Sequence, residues 1–319
     1  MTILISVNSL LHALVPLMAD VNKKSTLPPH GAMMKCIIKK MWSCLAFLTL
    51  VVSACPQAEA DELDDLIDKA MAGDHRNPEF VMRDQYRHPH ETLKFFGLRP
   101  EMTVVEIWPS RGWYTEILAP VLREQGVYYA AGFALTSKQT SDFMKAMQIE
   151  FADKLRQRPD IYDHVVVTEL AQPERTTIAP PGTVDMILTF RNVHNWLKDD
   201  NAQGMLETFY RILKPGGVLG IVEHRAASGT SMEQMIKTGY VTTEFITALA
   251  EAVGFRLEES SEINANPKDT KNYPEGVWTL PPTQRYCNKM KAGSERDKCT
   301  KKYTAIGESD RMTLRFRKP

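Results

Sequence analysis

Three short stretches concentrate the side chains able to do chemistry. Arg191-Asn-Val-His-Asn-Trp196 places four hydrogen-bonding groups around Val193, directly after the apolar run Val184–Phe190. Glu223-His224-Arg225 ends a second run that begins at Val218, and Glu106-Ile-Trp-Pro-Ser-Arg-Gly-Trp-Tyr114 ends a third that begins at Thr103. An imidazole with an ordinary pKa of about 6.5 suits general-base work. His194 is therefore the candidate base, with Arg191, Asn192, Glu223 and His224 as candidate catalytic neighbours. Bland readings stand beside these: solvated loop residues for the first stretch, and a satisfied ion pair for Glu223 and Arg225. Trp113, Tyr114 and Trp196 supply either walls and a cation–π face or ordinary core.

These stretches need a frame, and from Met102 onward the sequence alternates strand and helix patterns. Strands are predicted at Thr103–Trp108, Val127–Phe133, His164–Glu169, Val184–Phe190, Val218–Glu223, Arg256–Ile263 and Met312–Arg317. Helices are predicted at Trp113–Glu124, Ser137–Gln157, Ala202–Leu213 and Thr243–Val253, preceded by Asp61–Gly73 and by Met82–Phe96 with a break at Pro89. Apolar strands separated by helices imply a doubly wound, mainly parallel seven-stranded α/β sheet covered on both faces. Ligands of such sheets bind beyond the carboxyl ends of the strands, the edge where all three chemical stretches fall. A loop-rich insertion, residues 264–296, precedes the last strand and reads either as a lid over that edge or as a surface excursion.

Composition bounds the function. The 319 residues carry 39 basic and 39 acidic side chains, 43% apolar residues and 24% charged ones. This is the balance of a globular protein, and with no basic excess no nucleic-acid partner is expected. Residues 34–60 read as a signal peptide. Lys35, Lys39 and Lys40 precede the apolar run Met41–Ala54, 14 residues long, too short for a span of about 20. Ala58-Glu59-Ala60 then offers a small-x-small cleavage site. Val52-Ser-Ala-Cys55 also matches a lipobox, so a lipid on Cys55 and free release into the periplasm both remain open. Residues 1–33 read as an extension upstream of a true start at Met34. Residues 61–319 form a single predicted domain. Export suits a disulfide between Cys287 and Cys299, closing a loop of about 13 residues and contributing ~3 kcal/mol.

The segment Arg211-Ile-Leu-Lys-Pro-Gly-Gly-Val-Leu-Gly-Ile-Val-Glu223 resembles the helix, turn and fifth strand of the class I S-adenosylmethionine-dependent methyltransferases. Glu106-Ile-Trp-Pro, Gly112-Trp-Tyr-Thr-Glu-Ile-Leu, Arg191–Trp196 and Glu308-Ser-Asp-Arg311 resemble a small group of exported predicted methyltransferases. The resemblance covers the chain from about Arg83 to its end. It implies a Rossmann-like methyltransferase fold and S-adenosylmethionine as cofactor, held by Glu106, Trp108, Ser110, Gly112, Trp113, Tyr114 and Asp185. It implies methyl transfer to a small molecule in the cell envelope. The chain departs from the family pattern at two points. Trp108 and Pro109 stand where the first loop carries small residues, and no carboxylate follows Phe133 to grip the ribose. A second reading is therefore an envelope protein that binds another ligand, catalytically or not, on a degenerate methyltransferase fold. A metal-assisted hydrolase using His194, His224, Glu223 and Glu106 is the third, but no ligand pair has a recognisable metal spacing, so no metal centre is expected.

Overall fold

A computed structural model describes residues 55–319, with side chains from residue 62. The predicted extension and most of the predicted signal lie outside the described residues. Residues Glu59–Pro319 form one compact unit. Among the described residues, no helix is long and apolar enough to cross a membrane.

Seven strands make one sheet: β1 Thr103–Ile107, β2 Val127–Phe133, β3 Val165–Leu170, β4 Val184–Phe190, β5 Leu213–His224, β6 Arg256–Ser261 and β7 Arg311–Arg317. Their order is β3-β2-β1-β4-β5-β7-β6. The sheet is parallel except for β7, which runs antiparallel to both β5 and β6. This is a mixed, Rossmann-like sheet of methyltransferase type with helices ahead of it in the chain. Strand order reverses at β1, where β2 pairs on one side and β4 on the other. The crevice of such a sheet opens at that point.

Alternation along the strands builds two cores. Val104, Tyr128, Ala130, Met186 and Leu188 face helices Pro89–Phe96 and Thr115–Leu122, whereas Val105, Ala131, Ile187, Leu219 and Ile221 face helices Ala202–Ile212 and Thr243–Val253. Helix Ala202–Ile212 buries Met205, Leu206, Phe209 and Ile212 on one stripe, the spacing of an amphipathic helix. Lys214-Pro-Gly-Gly217 forms an irregularity in the β4–β5 ladder near the start of β5, where Gly216 adopts φ 76°, a left-handed conformation that glycine adopts without Cβ strain.

Several predicted boundaries shift. The predicted Met82–Phe96 helix is two short ones, Asp84–Arg87 and Pro89–Phe96, and a third short helix, Pro78–Val81, precedes them. A residue before proline avoids the helical region, and His88 turns left-handed there, at φ 41°. Two further helices, Val193–Lys198 and Met232–Thr238, come from segments with weak apolar rhythm. The insertion holds a 3-10 turn at Gly276–Thr279 and helix Arg285–Asn288, and helix Ser294–Thr304 continues past it. Cys287 and Cys299 are bonded, with Cα atoms 5.6 Å apart, and Cys287 is buried with Leu280 and Tyr303.

One buried acid fastens the N-terminal helices to the sheet layer. Glu116 is fully buried and accepts from Arg76 Nε at 3.0 Å, from Asn77 N at 3.2 Å and from Lys154 Nζ at 2.5 Å. Removing its carboxylate leaves the Arg76 guanidinium buried with only Asp84 to pair it. Glu116→Ala is expected to lower unfolding free energy by about 3–5 kcal/mol in urea denaturation; a loss under ~1 kcal/mol contradicts this role.

Candidate functional site

The loop after β1 keeps the backbone path of a glycine-rich turn without its glycines. Trp108, Ser110 and Gly112 have φ of 47°, 60° and 79°. For the two non-glycines this is sparsely populated backbone costing of order 1–3 kcal/mol each. A Cβ on Gly112 would stand 2.9 Å from the Phe151 ring, which accounts for the surviving glycine. Ser110 Oγ donates to Met147 Sδ at 3.1 Å.

The left-handed turn at Trp108 redirects its side chain. Strict alternation from Glu106 would send residue 108 toward helix Thr115–Leu122. The indole instead joins the core on the opposite face. There it lies 5.0 Å from the Phe133 ring and 6.2 Å from Trp196, and its Nε1 donates to Leu170 O at 3.1 Å. Phe133 ends β2, Leu170 ends β3, and Trp196 follows β4, so the indole spans the carboxyl ends of the three strands around the crevice. The space left beside it, lined by Phe133, Met144, Leu170 and Asn201, measures about 10 Å³, roughly the room of one water molecule. Trp196 takes the core alternative: it is wholly buried against Phe209.

Glu106 faces the other way. It is buried and accepts from Thr115 Oγ1 at 3.1 Å and from the Tyr128 hydroxyl. Burial pushes its carboxyl up to about 7, against the pull of those two donors. It therefore closes an internal network in place of the cofactor contact assigned to it by resemblance. Asp185 also needs correction. It accepts from Thr103 N at 2.9 Å and Lys214 Nζ at 2.6 Å, at the start of β4, the opposite end of the strand from the crevice and roughly 17 Å away. Trp113 Nε1 donates to Phe80 O at 2.9 Å, and the Arg87 guanidinium lies 4.6 Å from its ring centre. Tyr114 stacks on Phe190, and burial raises its hydroxyl to about 12.

Around the ends of β4, β5 and β7 the remaining candidates converge. Asn192 Nδ2 donates to Ile107 O at 2.9 Å, tying the β4 loop to β1. Arg191, also left-handed at φ 62°, has its N–H on Val222 O at 2.7 Å. Glu223 is fully buried and lies 3.0 Å from His194 Nδ1, accepting also from the backbone N–H of His194 and His224. With Nδ1–H on that carboxylate, His194 Nε2 is the proton-accepting nitrogen. Burial, then His194, Arg191, Arg311 and Arg87, pushes the His224 imidazole well down, so it stays neutral. Arg225 pairs with Asp310 and Glu262, the bland reading of that residue.

Ligand atoms of His194, Glu223 and His224 lie within 4.8 Å of one another, closer than the sequence spacing foretold; Glu106 is not among them. The arginines that keep His224 neutral oppose a cation there equally. Arg83, Arg87, Arg191 and Arg311 surround Glu308. Their nitrogens lie 2.6, 3.1, 4.0 and 3.3 Å from its carboxylate. Burial would raise the Glu308 carboxyl, but the four guanidiniums together hold it well below the usual carboxylate range. Burial lowers Arg191 to about 10, opposed by Glu308 and aided by Arg83 and Arg311. Beside Arg83 and Glu308 a cavity of about 440 Å³ opens between Phe80–Tyr86 and the insertion's Pro281-Pro282. Trp278 of the insertion stands 5.9 Å from the His194 ring, so the insertion does cover this edge. Arg83, Arg87 and Arg311 escaped sequence reasoning because their shared carboxylate is more than 200 residues from the first two.

No family model matches the chain, and no curated protein matches it. Among solved structures it is similar to an S-adenosylmethionine-dependent methyltransferase from Aquifex aeolicus, at 21% identity over 59% of this chain and 88% of that one, with a TM-score of 0.46. It is also similar to phosphoethanolamine N-methyltransferase 2 of Haemonchus contortus in complex with S-adenosyl-L-methionine, at 13% identity over 80% and 60%, with a TM-score of 0.49. A third is the [4+2]-cyclase SpnF, at 16% identity over 78% and 85%, with a TM-score of 0.46.

Glu106 offers a direct check of the buried network. Its folded pKa, about 7, lies above an unfolded value of about 4.3. Folded protein then binds the proton more tightly, and stability falls as pH rises from about 4.3 to 7 and is level above. Relative to Glu106→Gln, wild type is expected to lose ~1–3 kcal/mol across that window. Equal pH profiles for the two proteins, with a Glu106 carbon signal titrating near the unfolded value, contradict the assignment.

Proposed function

We propose that this protein is an exported small-molecule-binding protein, built on a methyltransferase-type sheet, that holds its ligand beside β4, β5 and β7 and takes no S-adenosylmethionine. The observation that carries this reading is the Trp108 indole. A nucleoside needs room at the ends of β1, β2 and β3, where the indole packs on Phe133 and bonds Leu170 O, and the pocket beside it measures about 10 Å³. Pro109 has no N–H to offer a ligand, and after Phe133 the chain reads Ala-Leu-Thr, with no acid to accept from ribose hydroxyls. The residues present do not fit that cofactor. On the other side of the β1 loop the site has what a small-molecule pocket needs: a cavity, charged groups at its wall and a covering segment. The pair His194–Glu223 adds an oriented proton acceptor to that side, which serves either recognition or catalysis. Export and a place in the envelope, free or through a lipid on Cys55, rest on the reading of residues 34–60.

Methyl transfer from S-adenosylmethionine to a small molecule in the envelope is the second reading. In its favour, Trp108, Ser110 and Gly112 all keep positive φ, the path of a loop shaped for close backbone approach. It requires the indole to leave the crevice and the envelope to receive a cofactor made in the cytosol.

Titration calorimetry with S-adenosylmethionine and S-adenosylhomocysteine decides between them. Wild type is expected to bind neither below about 1 mM, a threshold of ~4 kcal/mol. Micromolar binding of either by wild type overturns the proposal and makes methyl transfer the better account.

A further inference from the structure

The arginine cluster is only partly balanced by the groups it touches. Four guanidiniums share one carboxylate, Glu308, and His224 beside them is held neutral. Arg87 and Arg311 are almost wholly buried. Buried charge without a partner is expensive. Two guanidinium nitrogens, Arg83 Nη2 and Arg87 Nη2, are buried with no hydrogen-bond partner at all. The fork of an arginine matches the oxygens of a carboxylate or phosphate; here four forks converge on Glu308, and one of them, Arg83, lines the cavity together with Glu308 itself.

We propose that this cluster is the anion-recognition end of the ligand site and that it takes a phosphate monoester with an apolar body. A single negative charge leaves two of the three excess positive charges uncompensated, whereas a dianion leaves one. The cavity that opens beside Arg83 and Glu308 is otherwise lined mainly by Phe80, Met82, Tyr86, Pro281 and Pro282, an apolar surface for the rest of the molecule. Exposed Glu79 also lines the cavity and is its one carboxylate outside the arginine cluster. Arg311 is held in place from both sides, donating to Ser309 O and Tyr86 O as well as Glu308. Across the β5–β7 ladder it stands opposite His224. The anion site therefore borders the His194–Glu223 pair. This inference rests on the reading that the ligand occupies this side of the β1 loop.

Calorimetric titration of phenyl phosphate and of benzoate into the purified protein at low ionic strength tests it. Phenyl phosphate is expected to bind at least about tenfold more tightly than benzoate, and Arg83→Gln, at the rim of the cluster, to weaken it at least tenfold. Equal affinities, or an unchanged affinity in folded Arg83→Gln, overturn the inference. Should that variant not fold, wild type alone decides. Phenyl phosphate at about a hundredfold excess over its dissociation constant is expected to raise the unfolding temperature by ~5 °C or more, and no rise overturns the inference. Binding of S-adenosylhomocysteine alongside a phenyl phosphate signal fails the functional reading alone. Silence with both ligands fails the anion site alone.

Discussion

A single side chain decides how the carboxyl edge of this sheet is used. The indole of Trp108 is turned across the sheet by a left-handed backbone, fixed by its bond to Leu170 O and packed on Phe133 and Trp196. Fully burying an aromatic side chain stabilises by about 1.5–3 kcal/mol. The positive φ at Trp108 costs a comparable amount, about 1–3 kcal/mol. The two offset, so the loop keeps its unusual path because the ring fills the space that the path creates. Asn192 then braces the same loop from the β4 side through Ile107 O. In the proposed function the ligand therefore sits on the neighbouring half of the edge.

That other half is organised by charge. Glu308 gathers arginines from the N-terminal helices, the β4 loop and β7, so a single carboxylate links three parts of the chain. The insertion is sewn to the same region. Tyr240 donates to Asp269 at 3.0 Å, and Asp269 accepts from Asp310 N at 2.8 Å. Val277 packs against Ala226 and Tyr240. The segment that lies over the cavity is therefore anchored by buried contacts, and the disulfide steadies the helices that follow it. A cavity bordered by a buried arginine–glutamate cluster and an anchored cover differs in kind from a nucleoside crevice, which needs close backbone approach.

Much of the fold was legible in the sequence because strand and helix have different apolar periods. β2, β4 and helix Thr243–Val253 fall where alternation and spacing placed them. The N-terminal helices were blurred, since three short helices separated by turns leave no sustained period. The site was legible by halves. Arg191, Asn192, His194, Glu223 and His224 were visible as polar groups at strand ends, and they do converge. Trp108 was visible as an intruder in a glycine loop, yet which face its ring took depended on a φ angle that no residue pattern encodes. Asp185 was misplaced because it was assigned by family order rather than by which end of β4 it occupies. Glu308-Ser-Asp-Arg311 was noticed only as a motif. Its meaning needed Arg83 and Arg87, brought to it from across the chain.

The most direct measurement is hydrogen exchange at the indole N–H of Trp108, followed by NMR with and without S-adenosylhomocysteine. A ring held in the crevice gives slow exchange, of the order expected for core amides, unchanged by the nucleoside. Exchange as fast as in an exposed tryptophan, or protection that shifts when the nucleoside is added, contradicts a ring that permanently fills the crevice.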